Sequence, residues 1–212
     1  MSITILTPRN LIGKHPEAFA VSLILFMVGF MLGLQPQYGQ PIIEEAKKRE
    51  VEPTAIATNF KQILANNGLI SAVLWSGWFF TPFFGVGYLP PAIMVYNVGA
   101  AFGAIVSYVS PLQSVITLVS FGILEASGFV FAFAGSLLFP KYAILKLLGK
   151  TTQFTDLFTD ASTLLFYSFV LLFSGAILET LLINPLTTMF AVASGLIVTF
   201  LVVRFFILKA EA

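Results

Sequence analysis

The sequence predicts an all-α, polytopic transmembrane bundle of about six spans, one of them kinked or re-entrant, with amphipathic helices at the interface. Three observations predict it. Hydrophobic residues make up 58% of the 212 and charged residues only 10%, whereas a soluble domain carries roughly 25% charged residues to cover its surface. The mean hydropathy is +0.93, and apolar runs near the ~20 residues that cross a bilayer recur along the chain. Within those runs, small residues return at helical spacing. The expectation is one integral domain over residues 1–212, multi-pass in the cell membrane, with the lipid bilayer as its first partner. A net charge of +1 leaves no basic footprint for nucleic acid. With no cysteine there is neither a disulfide nor a thiolate metal site.

The first span, Ala18–Leu34, follows Arg9 and Lys14 as a signal peptide would. It ends in "LGLQPQYGQ" rather than a small-x-small cleavage site, so it reads as a retained helix. Residues 35–68 form the one substantial polar stretch, expected outside the cytoplasm. There "PIIEEAKKREVEP" reads as a short charged helix closed by Pro53. A second helix follows, with Thr54 as its cap and Ile56, Phe60, Ile63 and Leu64 along one stripe. That stripe lies in the membrane interface or packs on its own loop.

Span two, Leu69–Tyr88, is interrupted by Pro82, Gly85 and Gly87 in "GWFFTPFFGVGYLPP". Broken backbone at membrane depth needs protein or water around it. Spans three to six are Pro91–Val109, Leu112–Phe139, Thr163–Ile183 and Leu186–Leu208. Residues 140–160 read as a cytoplasmic amphipathic loop, in which Lys141, Lys146 and Lys150 among leucines suggest an interfacial helix with snorkelling lysines. This threading puts Arg9, Lys14, Lys141, Lys146, Lys150, Arg204 and Lys209 on one side. Lys47, Lys48, Arg49 and Lys61 fall on the other, which favours both termini in the cytoplasm.

Gly99, Gly103 and Ser107 return every fourth position in span three, roughly opposite Asn97, Ala100, Ala101 and Ala104. Gly29 and Gly33 repeat the spacing in span one. Such faces let helix backbones touch. In span four, Gly122, Glu125, Gly128, Ala132, Gly135 and Ser136 project onto one face at ~100° per residue. In span five, Ser168, Gly175, Ala176 and Glu179 do the same. The two acids stand inside apolar segments, "FGILEASG" and "SGAILETL". An unpaired charge there is costly, so each carboxyl takes a proton or finds a partner. Both glutamates are expected in one polar pocket with Asn66, Asn67 and Asn97 as neighbours, closed by the backbone around Pro82–Gly87. They serve either as neutral hydrogen-bonding glue between helices or as a proton, cation or substrate site.

From Phe60 to Pro185, the ordered set "FKQILANNG", a Gly/Pro-broken span, "YNVGAAFGAIV", "FGILEASG" and "ILETLLINP" resembles the stage II sporulation protein M family of membrane proteins. That family's signature is Pro-His-Gly, two apolar residues, then Glu. Here Ser120 and Phe121 stand at the Pro and His positions, before Gly122 and Glu125. The resemblance implies a helical membrane protein that organises partner proteins in cell-envelope or membrane remodelling.

Three classes of function remain to be weighed. An enzyme is disfavoured. The only histidine is His15, before the first span, and Asp156 and Asp160 fall in the 140–160 loop, so neither a Ser-His pair nor a buried aspartate dyad is evident. The expectation is a non-enzyme without catalytic residues, cofactor or metal. A small transporter or channel would use Glu125 and Glu179 as a proton, cation or substrate site. The reading adopted from sequence is a membrane scaffold that binds protein partners or a second copy of itself, with the transporter as the alternative.

Overall fold

A computed structural model of the chain describes residues 7–47, 55–77, 89–184 and 186–206; these are helical, with no strand among them. Helix α1 (Pro8–Lys14) starts where Thr7 Oγ1 accepts from the Asn10 amide at 3.3 Å, with Pro8 in the first turn. His15 separates it from α2 (Pro16–Gly33), which again opens on proline. Helices α3 (Pro36–Lys47), α4 (Ile56–Trp75) and α5 (Leu89–Tyr108) follow. Ser110 and Gln113 then form a reciprocal capping box that opens α6 (Pro111–Thr117). A π-helical turn, Leu118–Gly122, joins α6 to α7 (Ile123–Ser136), and α8 (Leu138–Leu147) continues it. Helices α9 (Phe154–Ile183) and α10 (Thr188–Phe206) complete the described chain.

Four of these runs are long and apolar enough to cross a membrane: α2, α5, the run Pro111–Leu147, and α9. Contacts between the helices fix their directions. Phe26 lies against Gly99 and Phe30 against Gly103, so α2 and α5 run parallel. Phe60 meets Phe173, and Trp75 Nε1 donates to the Ala161 carbonyl at 3.2 Å, so α4 runs antiparallel to α9. Gly128 packs on Leu172 and Gly135 on Ala161, which makes α7 antiparallel to α9 as well. The α1–α2 elbow therefore sits at the same end of the bundle as α8 and the start of α9. Lys47 stacks over the Tyr108 ring at 4.4 Å at the opposite end.

At the tight α9–α10 corner, threonine hydroxyls serve α9's terminal carbonyls. Thr187 Oγ1 donates to the Leu181 carbonyl at 2.7 Å and Thr188 Oγ1 to the Asn184 carbonyl at 2.9 Å. The core holds fully buried Leu124, Phe133, Leu164 and Leu172 where α7 and α9 face each other.

The boundaries differ from the sequence reading in three places. The helix expected at the interface and the start of span two are one helix, α4, running unbroken through Gly68. Phe60 of its apolar stripe meets Phe173 of α9, Ile56 is exposed, and Asn59, Asn67 and Ser71 turn inward and are buried. The second half of the 35–68 segment is thus a member of the bundle. The helix expected within 140–160 is the end of α8, to Leu147, but span five starts earlier than Thr163, because α9 begins at Phe154. Ser107 does not extend the glycine face. It is exposed, and its hydroxyl returns to the Ala104 carbonyl of its own helix at 2.9 Å. Thr54, Pro53, Pro82–Gly87, Pro185 and Lys209 lie outside the described residues.

Candidate functional site

Glu125 stands in the first turn of α7, immediately after the π turn, and is buried. The residue opposite it on α9 is Gly175. A Cβ there would come within 2.6 Å of Glu125 Cγ, so the missing side chain makes the space that the glutamate fills. One helical turn further along α9, Glu179 is half-buried, and its carboxyl hydrogen-bonds that of Glu125. From the third helix, Asn67 Nδ2 donates to Glu125 Oε1 at 2.5 Å. Two carboxyls and one amide from α7, α9 and α4 therefore meet in one polar cluster. A hydrogen bond between two carboxyls holds a proton between their oxygens, since an ionised carboxylate can only accept.

The cluster continues along α4 at four-residue steps. Ser71 Oγ and the Ser168 Oγ of α9 are 2.9 Å apart and buried, and Trp75 reaches the Ala161 carbonyl one turn later. Asn67, Ser71 and Trp75 thus form a polar seam along the face of α4 that meets α7 and α9.

The π turn forms the wall beside Glu125. Its wider winding leaves carbonyls off the ordinary ladder, and Thr199 Oγ1 of α10 donates to that of Val119 at 2.8 Å. Helix α10 approaches through Gly195, where a Cβ would stand 2.6 Å from Ser120 Cα. Ser120 is buried, and its hydroxyl has no hydrogen-bond partner among the described residues.

Of the residues expected to share a pocket, the structure brings together Glu125, Glu179 and Asn67. Asn66 is one position, ~100°, around the helix from Asn67 and is exposed. Asn97 is exposed on α5 and faces away from the buried small residues of that helix. Gly99 and Gly103 lie against backbone of α2: added Cβ atoms would collide with the Phe26 and Phe30 carbonyl oxygens. Gly29 and Gly33 return the contact onto Tyr96 and Ala100. Gly128 receives Leu172 of α9, its hypothetical Cβ 2.7 Å from Leu172 Cγ. Gly122, expected on the same face, instead neighbours Leu118 and Phe102, because it closes the π turn.

A second polar cluster was not anticipated from sequence. His15 is buried, with Nε2 2.8 Å from Asp160 Oδ2 and Nδ1 2.8 Å from Lys141 Nζ. Lys14 also pairs with Asp160, at 2.6 Å, and Lys141 with Glu17, at 2.5 Å. Asp160 lies in the second turn of α9 and not in a loop. The signal was available in its helical phase, which it shares with Leu157, Ala161 and Leu164, all of them buried.

Among the described residues, no group of three or more His, Cys, Asp or Glu side chains could hold a metal ion. A small cation at the carboxyl pair would draw on the oxygens of Glu125 and Glu179, since Asn67 presents its amide nitrogen, a donor, to Glu125. Comparison of the chain with family models, with characterised proteins and with solved structures finds no match.

Proposed function

We propose that this multi-pass membrane protein is a small transporter or channel whose Glu125–Glu179 pair binds and releases a proton or a small cation. One observation carries the reading: two carboxyls from different helices hydrogen-bond each other inside an apolar bundle, with Asn67 as a third member. Intramembrane acids that face a bundle interior mark ion and proton pathways more often than packing glue. Gly175 makes the space in which the Glu125 carboxyl stands between α7 and α9.

The test is flux in reconstituted vesicles carrying an internal pH dye, under imposed proton, sodium and potassium gradients. Wild-type protein should dissipate one of these gradients, and Glu125→Gln should slow that flux at least tenfold while the protein stays folded. Flux equal to that of protein-free vesicles, or unaltered by Glu125→Gln, would refute the reading.

The scaffold function implied by the resemblance draws on a different feature. An apolar groove of about 510 Å³ runs between α4 and α9, lined by Leu64, Gly68, Phe169 and Phe173 among others. Gly68 leaves its floor open, as helix-docking surfaces in membranes require. Its proposed occupant is a second copy of this chain. Because the chain has no cysteine, Phe173→Cys should yield a disulfide-linked dimer in native membranes. A purely monomeric product would remove this second reading.

A further inference from the structure

Ser120 breaks the pattern of the other buried serines. Ser22, Ser71, Ser114, Ser136 and Ser168 each have a partner for the hydroxyl, on their own helix or across a helix pair. A helical serine ordinarily returns its hydroxyl to a carbonyl three or four residues back, as Ser22 does to Ala18 at 2.7 Å. Ser120 has no such bond. It lies inside the π turn, whose wider winding carries the preceding carbonyls out of line. At 1% exposure it is also out of reach of bulk water, and its hydroxyl has no partner among the described residues. A buried polar group of this kind calls for an explanation, a bound water or ion first among them.

The surroundings are rich in oxygen. Helix α9 runs antiparallel to α7, so Glu179, one turn beyond Gly175, is displaced from the level of Glu125 toward the π turn. Ser120 precedes Glu125 by five residues, ~7 Å along the axis, and both α9 and α10 pack on the turn that holds it. The Val119 carbonyl of that turn leans outward far enough to accept from Thr199. We propose that the π turn and the carboxyl pair form one site for a small monovalent cation, sodium, with Ser120 Oγ and a π-turn carbonyl as neutral ligands beside Glu179. Two carboxyls that share a proton carry one negative charge between them, which a monovalent ion matches. Backbone carbonyls released from regular helix are the groups that take sodium inside membrane bundles. The close approach of α10, where a Cβ at Gly195 would stand 2.6 Å from Ser120 Cα, favours sodium over the larger potassium ion. The site rests on the reading of Glu125 and Glu179 as an ion site and names the ion.

Equilibrium binding of ²²Na⁺ to the purified full chain in detergent, with choline as the balancing cation, tests this. Binding should saturate at one ion per chain, with lithium competing and potassium at least tenfold weaker. Ser120→Ala should weaken binding at least tenfold. Ser71→Ala, in the seam away from the π turn, should leave it unchanged. Absence of saturable ²²Na⁺ binding, or binding that Ser120→Ala leaves intact, would overturn the proposal and give the hydroxyl to a structural water. Equal competition by potassium would overturn it too, and that measurement needs only the wild-type chain should Ser120→Ala fail to fold. The two readings fail separately. Proton flux through vesicles without ²²Na⁺ binding would sink this site and keep the transporter, whereas Ser120-dependent binding without any flux would keep the site and sink the transporter.

Discussion

Two seams hold this bundle together, and they do so by opposite means. Between α2 and α5, Gly29, Gly33, Gly99 and Gly103 remove side chains, so that backbone lies directly on backbone. Between α4, α7 and α9, Asn67, Glu125, Glu179, Ser71 and Ser168 add polar groups that bond across the gap. In lipid there is no hydrophobic drive to bring helices together, and close van der Waals contact or hydrogen bonding must supply it. The glycine seam is dry, repetitive and intolerant of volume. The polar seam has volume already in place and is sensitive to donors and acceptors. A bundle whose sole task was to stay assembled could use the first device throughout. Protonatable groups in the second are what set it apart as a site.

The sharpest way to break the comparison is volume on the glycine side. Gly103→Leu places a side chain where a Cβ alone meets the Phe30 carbonyl, and backbone cannot yield as a flexible side chain can. The two helices must part, and the loss should be ~3 kcal/mol, the upper range for overpacking. Denaturant titration in mixed micelles should show the drop, and an unmoved midpoint would mean that α2 and α5 do not touch there. On the polar side, Asn67→Ala leaves Glu125 Oε1 without its donor in a buried setting. The expected loss is ~1–2 kcal/mol, smaller than on the glycine side because no backbone moves. A loss larger than that of Gly103→Leu would reverse the ranking of the two seams.

How each seam could be read from sequence differs for the same physical reason. Glycine at every fourth position is a pattern within one helix, and Gly99–Gly103 and Gly29–Gly33 were legible as faces that admit close neighbours. That the two faces meet each other was not, because periodicity gives a direction and no partner. The inward phase of Glu125 and Glu179 was legible from the small residues beside them. Asn66 and Asn97 misled, because an amide in an apolar run signals cost without saying which way it turns. The continuity of α4 was hidden by Gly68, which reads as a helix boundary but lies at a groove floor. The His15–Asp160 cluster was hidden because charged residues end an apolar run in any window count. The helix nevertheless continues through Asp160, whose charge is matched by Lys14 and His15.

Ser71→Ala tests the weaker end of the polar seam. It removes a hydroxyl pair and leaves Ser168 able to turn to its own helix. The cost should be ~0.6 kcal/mol, the average for such bonds between membrane helices. A cost above that of Asn67→Ala would place the stability of the seam in the serines and not in the amide.

The one expected effect whose sign differs from the others is at Ser120. Its hydroxyl is buried in the π turn without a partner among the described residues, while the neighbouring Val119 carbonyl is already served by Thr199. A buried hydroxyl that bonds nothing has lost its water and gained nothing in exchange, a deficit of ~1 kcal/mol or more. Ser120→Ala removes that deficit and fits the same space, since alanine keeps the Cβ and loses only the hydroxyl oxygen. Stability in mixed micelles should therefore stay level or rise by up to ~1 kcal/mol. If flux through the vesicles falls while stability rises, the hydroxyl is held unpaired in the resting protein for something that arrives during transport. If stability falls instead, the hydroxyl has a structural partner, and the π turn belongs with the polar seam as packing.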